Sequence, residues 1–118
     1  MATVTPTFNN SVTGVPRVIW EALATGDTVE AFTLLQQYGL AASVQISGTF
    51  GGATVTLQHS NDGDTWFTAK DMFESDVTAT ANAIFELSLS SVYFRVAISG
   101  GSGDDVDVIL VLRGNNGV

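Results

Sequence analysis

Apolar and polar residues alternate along most of the chain. In "SVQISGTF", Val44 and Ile46 point one way and Gln45 and Ser47 the other. "ATVTLQHS" sets Val55 and Leu57 against Thr54, Thr56 and Gln58. "VYFRVAIS" sets Val92, Phe94, Val96 and Ile98 against Tyr93, Arg95 and Ala97. A period of two puts successive side chains on opposite faces of an extended backbone, so each segment predicts a strand with one buried face. "VIWEAL" reads as a first strand, with Val18, Trp20 and Ala22 on one face and Trp20 as a core anchor. Ala83–Leu89 reads as another, with Phe85, Leu87 and Leu89 inward. Thr33–Leu40 is open: a helical turn ended by Gly39, or a strand with an irregular edge.

The last strand carries more information. In "VDVILVLRG", Val106, Val108, Leu110 and Leu112 make one face. The other face holds Asp107, Ile109, Val111 and Arg113, so Ile109 and Val111 also call for cover. Either the strand is central and buried on both faces, or a neighbouring subunit packs there.

Turn chemistry separates the strands. Gly51-Gly52 in "FGGA" predicts a hairpin, because both residues accept a positive φ. "NDGD" joins the strand ending near Ser60 to one starting near Trp66, and "SGGSGDD" leads from Ile98 into the last strand. Short strands at regular spacing predict an all-β fold: a single antiparallel β-sandwich, jelly-roll or Ig-like in character. The expected division is an N-terminal arm over residues 1–14 and the sandwich over 15–118. The arm is rich in Thr, Asn and Ser and has no charged side chain, yet it carries Val4, Phe8 and Val12. It reads either as a loose tail or as an arm that docks on a partner.

Composition narrows the function. The chain has 118 residues, enough for one domain with its own core. Only 14% of them are charged, where about a quarter is usual, which suggests a surface partly covered by something else. Net charge is −8, from twelve acids and four bases. Arg17, Lys70, Arg95 and Arg113 are scattered in sequence, so neither nucleic acid nor an anionic membrane is an expected partner. There is no cysteine and one histidine, which excludes a thiolate metal site and a His-rich zinc site. No run approaches the roughly 20 apolar residues of a spanning helix, and the N-terminus lacks the pattern of a signal peptide.

"QHSNDGDTW" is the densest candidate for chemistry. Asn61, Asp62 and Asp64 can offer oxygens to calcium, but the twelve-residue loop spacing with its terminal glutamate is missing. Asn, Asp and Gly at these positions are also what a reverse turn uses, and that reading is preferred. His59 lacks an evident catalytic partner, since Ser60 beside it points to the opposite face of a strand. The acids Glu21 with Asp27, Glu74 with Asp76, and Asp104 with Asp105 and Asp107 lie in polar loops or beside turns. There they stay ionised, unlike the buried acid of a glycosidase. The chain is therefore expected to be non-enzymatic, with no cofactor.

Taken together, "VIWEALATGDT", "SVQISGTFGGATVTLQHSNDGDTW" and "VYFRVAISGGSGDDVDVILVLRG" resemble a family of small virion proteins of tailed bacteriophages. The shared scheme is W-x-x-L-x-x-G-D-T, V-Q-x-x-G-T-F-G, S-N-D-G-x-x-W and Y-x-R-x-x-x-x-G-G-x-G. It falls here on Trp20, Leu23 and Gly26–Thr28; on Val44, Gln45 and Gly48–Gly51; on Ser60–Gly63 and Trp66; and on Tyr93, Arg95, Gly100, Gly101 and Gly103. The family often has proline after the strand arginine, where this chain has Ala97 following Val96.

The resemblance implies a capsid decoration, or cement, protein on the outer surface of the head shell, made in the host cytoplasm. Its implied partners are the major capsid protein and sibling copies, as a homotrimer. Val4, Phe8, Val12, Ile109 and Val111 are the expected interface residues. "SNDGxxW" also resembles the hairpin of carbohydrate-binding β-sandwiches. A sugar-binding module, or a tail or head-fibre component, is accordingly the alternative.

Overall fold

The computed structural model describes residues 2–9, 17–33 and 41–113. Twelve strands appear there: β1 (Thr3–Val4), β2 (Thr7–Asn9), β3 (Arg17–Leu23), β4 (Thr28–Val29), β5 (Phe32–Thr33), β6 (Ala41–Thr49), β7 (Thr54–Ser60), β8 (Phe67–Thr68), β9 (Thr78–Ala79), β10 (Ala83–Ser88), β11 (Tyr93–Ser99) and β12 (Asp105–Arg113). No helix occurs among the described residues. The first sheet has the order β10-β6-β12-β3-β2 and the second β5-β11-β7-β8, with β9 also on β7. Every pairing within these two sheets is antiparallel. The chain is an all-β sandwich, as the alternation predicts. A two-residue parallel pair, β1 with β4, adds a small third sheet at its margin.

The core lies between the inward faces. Val18, Trp20, Val44, Ile46, Leu87, Val108 and Leu110 from the first sheet meet Val55, Leu57, Phe94 and Val96 from the second, all essentially excluded from solvent. Trp20 contributes the largest side chain, and its indole N–H donates to the Glu30 carbonyl at 2.9 Å. That bond removes the cost of burying the one polar atom of the ring.

Three local expectations change. First, Gly51-Gly52 does not make a hairpin. β6 belongs to the first sheet and β7 to the second, so "FGGA" carries the chain across the sandwich. Phe50 and Ala53, either side of the glycine pair, are both buried. Gly51 has φ +57, and a Cβ on it would sit 2.3 Å from the Ser102 carbonyl. Ser102 lies in the second crossover, from β11 to β12, and its N–H donates to the Gly51 carbonyl at 3.0 Å. The glycines thus serve a close approach of two crossovers, which local pattern cannot tell from a hairpin.

Second, Ala22 is exposed and Leu23 is buried in its place. The register of β3 against β12 shifts between Val106 and Val108, and Ala22 sits at φ +57. A bulge adds one residue to one strand and flips every later side chain to the other face.

Third, the N-terminal segment is not an arm outside the sandwich over residues 2–9. β2 is the edge strand of the first sheet, paired with β3, and β1 pairs with β4. Thr, Val and Phe suit an edge strand, and strand pairing satisfies backbone groups that a free tail leaves to water.

Candidate functional site

β12 is the middle strand of the first sheet, so its inward residues are core and its outward residues sit at the centre of a sheet face. Register places Thr7, Ile19, Ile109, Gln45 and Ile84 in one row straight across all five strands. None of these five carries a charge. At about 4.8 Å between strands the row spans roughly 19 Å. Ile19 and Ile109 are half-buried and Ile84 is 65% exposed. The next row sets Val111 between Arg17 and Ser43, with Glu86 beyond Ser43 on β10. The strand is therefore central, but its second face is not closed over by the chain's described residues: it is an apolar strip bordered by charge.

The five expected interface residues do not form one surface. Ile109 and Val111 lie on this outer face. Val4 is half-buried and packs against the core. Phe8 pairs with inward-facing Val18 and stacks on Phe32, across the sandwich edge. Val12 lies outside the described residues.

Sequence reasoning missed Met72 and Phe73. They are 55% and 87% exposed, and they sit in the Asp71–Ser75 loop against the free side of β10, where Met72 N–H donates to the Glu86 carbonyl at 2.9 Å. A groove of about 370 Å³ runs between this loop and β10, lined by Ser43, Asp71, Phe73, Ile84, Phe85 and Glu86. The available signal was "DMFES": two adjacent large apolar residues between acids, where strand alternation is absent.

The "SNDGDTW" segment is a closed turn. Asp62 Oδ1 accepts from the Ser60 hydroxyl at 2.8 Å and from the N–H groups of Asp64 and Thr65 at 2.8 and 2.9 Å. Ser60 Oγ accepts in turn from Gly63 N–H at 2.9 Å. The N–H groups of Thr65 and Asp64, then the Ser60 hydroxyl, hold the Asp62 carboxyl down at about 2. That oxygen is committed to three donors, an arrangement that closes an Asx-type turn. Among the described residues no group of three His, Cys, Asp or Glu side chains is placed to hold a metal ion.

His59 has a partner that sequence did not show. Its Nδ1 shares a hydrogen bond with Ser91 Oγ at 2.8 Å, from 32 residues away. The ring also stacks on Phe94, with centroids 6.2 Å apart. Burial pushes the imidazole below its ordinary pKa, favouring the neutral ring. A serine beside a neutral histidine is two parts of a nucleophilic triad. The nearby Asp62 carboxylate, however, is engaged by its own turn, and no acid among the described residues hydrogen-bonds the imidazole. The pair ties β7 to the start of β11.

The outer face of the second sheet is polar and aromatic. The Arg95 guanidinium lies over the Trp66 ring, 4.2 Å from its centroid, and Arg95 Nε donates to Gln58 Oε1 at 2.7 Å. Tyr93 packs its ring edge over Gly63. One face of Trp66 is thus filled by the chain itself and is closed to a sugar.

No protein-family model and no curated protein matches the chain. One solved structure aligns over 95% of this chain and 88% of its own: a carbohydrate binding module, CBM6cm-2, from Cellvibrio mixtus lichenase 5A in complex with cellotriose. Identity is 12% and the TM-score 0.31, a likeness on which no functional reading rests.

Proposed function

We propose that the chain is a non-enzymatic structural protein of a tailed-phage virion, a decoration protein that binds the outside of the head shell and stabilises it. The observation that carries this reading is the uncharged row Thr7–Ile19–Ile109–Gln45–Ile84 on an open sheet face. In a chain with twelve acids, a strip five strands wide without a charge is suited to contact with protein. The ordered set of motifs shared with small phage virion proteins supports the same reading.

The proposed partner is the major capsid protein, with sibling copies, as a trimer, alongside. Stabilisation is then added interface. Covering a half-exposed isoleucine contributes about 1 kcal/mol, and a standard interface buries about 1,600 Å² in all. Repetition over many symmetric sites multiplies a modest energy per site. Sugar binding is the weaker reading because Arg95 occupies one face of Trp66.

The test is sedimentation of purified protein with heads of the encoding phage that lack it, followed by gel analysis. Saturable co-sedimentation is expected. A chain that stays in the supernatant at all concentrations contradicts the proposal.

A further inference from the structure

We infer that Phe73, with Met72 and Ile84 beside it, is the anchor of this surface, and that it enters an apolar pocket of the shell protein whose rim is basic. The inference rests on the decoration reading and says where the affinity lies and what chemistry receives it.

The first observation is how Phe73 is held. An aromatic ring 87% exposed on a floppy loop is unremarkable, but this loop is braced. Asp71 Oδ1 accepts from the N–H groups of Phe73 and Ser75 at 2.8 and 2.9 Å. Asp71 N–H donates to the Ser75 carbonyl, and Glu74 N–H to the Asp71 carbonyl. Met72 N–H ties the loop to β10, and the ion pair of Lys70 with Asp76 closes its base. Glu74 adopts φ +63, a left-handed conformation that a non-glycine side chain rarely takes. Bracing and strain together keep a large apolar ring pointed at solvent. A loop backbone ordered before binding loses less entropy on docking, which suits an interface anchor.

The second observation is charge. Asp71 and Glu86 line the groove beside Phe73, and Glu74 follows it in sequence. Lys70, the base in this loop, is paired with Asp76. Arg95 lies on the other sheet, over Trp66. Neither Glu74 nor Glu86 has an ion-pair partner among the described residues. An apolar anchor inside an acidic rim complements an apolar pocket inside a basic one. A second copy of this chain meeting this face with the same face would set Glu74 and Glu86 against their own kind, and with four bases to twelve acids it is a poor source of a basic rim.

The test titrates labelled protein onto undecorated heads of the encoding phage, using wild type, Phe73→Ser, Glu74→Lys, and Thr78→Ser on the opposite sheet as a control. Thermal melts of all four should coincide within a few degrees, because the substituted side chains lie outside the core. Phe73→Ser is expected to weaken binding at least about tenfold. Glu74→Lys should weaken it several-fold and flatten its salt dependence, while wild-type binding declines from about 50 to about 500 mM salt. Thr78→Ser should bind as wild type. If wild type binds and Phe73→Ser binds equally well, the anchor is overturned and the decoration reading stands. If wild type does not bind at all, the decoration reading fails and the anchor with it.

Discussion

The ring of Phe8 lies face to face with that of Phe32, centroids 6.0 Å apart and planes within 4°. Phe8 is on β2, the edge of the first sheet, and Phe32 on β5, the edge of the second. The pair therefore closes one open side of the sandwich. Stacked aromatic pairs contribute about 0.5–1.5 kcal/mol beyond their buried area. Phe8→Ala should lower stability by about 1–2 kcal/mol in urea denaturation. Removing residues 1–9 should lower it further, since β2 and the β1–β4 pair go with them. A truncated chain with an unchanged midpoint would show that the segment adds nothing to the sheet.

Gly51 and Gly103 make a matched pair of tests. Both have positive φ, +57 and +67. A Cβ on Gly51 meets the Ser102 carbonyl at 2.3 Å, while one on Gly103 meets nothing within 4 Å. Gly103→Ala should cost about 1 kcal/mol, from backbone conformation alone. Gly51→Ala should cost about 3 kcal/mol or more, because two crossovers must move apart. Equal losses would mean that the close approach is not what demands glycine there.

Much of the fold was legible because alternation reports faces. Val44 and Ile46, Val55 and Leu57, Phe94 and Val96, and Val106 through Leu112 at every second position are all buried as their spacing predicts. Alternation does not report partners. It assigns each strand an inner face but leaves open which sheet the strand joins, so Gly51-Gly52 looks like a hairpin and proves to be a crossover. Ala22 was lost to a bulge, whose cause lies in the pairing with β12 and not in "WEAL" itself.

The candidate surface was half legible. Ile109 and Val111 stood out because both faces of one strand were apolar. Phe73 did not, because a loop has no period against which an exposed ring looks wrong. The link between His59 and Ser91 spans 32 residues and exists only once β7 and β11 are paired.

Acid should act on the turn through Asp62. Its folded carboxyl titrates at about 2, below the ordinary 3.8 expected of the unfolded chain. A depressed acid contributes stability that is complete above the unfolded value and lost as pH falls through the folded one. The contribution should therefore be whole above about pH 4 and decline towards pH 2. Asp104, lowered by the Thr25 hydroxyl and N–H, acts in the same direction. In urea midpoints recorded across that window, Asp62→Asn should show a shallower slope than wild type. Identical slopes would remove Asp62 as a source.

Ile109 should separate assembly from folding. Its side chain lies half-exposed at the centre of the open face, and the core beneath is made by Val108 and Leu110. Ile109→Lys should leave the melting temperature within a few degrees and weaken co-sedimentation with undecorated heads. A variant that unfolds would place Ile109 in the core. A variant that folds and still co-sediments fully would remove Ile109 from the proposed contact.

On the proposed reading, the deciding measurement is an electron cryo-microscopy map of virions of the phage proposed to encode the chain. Sandwich-shaped density is expected on the outside of the head, with the row from Thr7 to Ile84 and the Phe73 loop turned towards the shell. Absence of the chain from purified virions, or density confined to the tail, would contradict it.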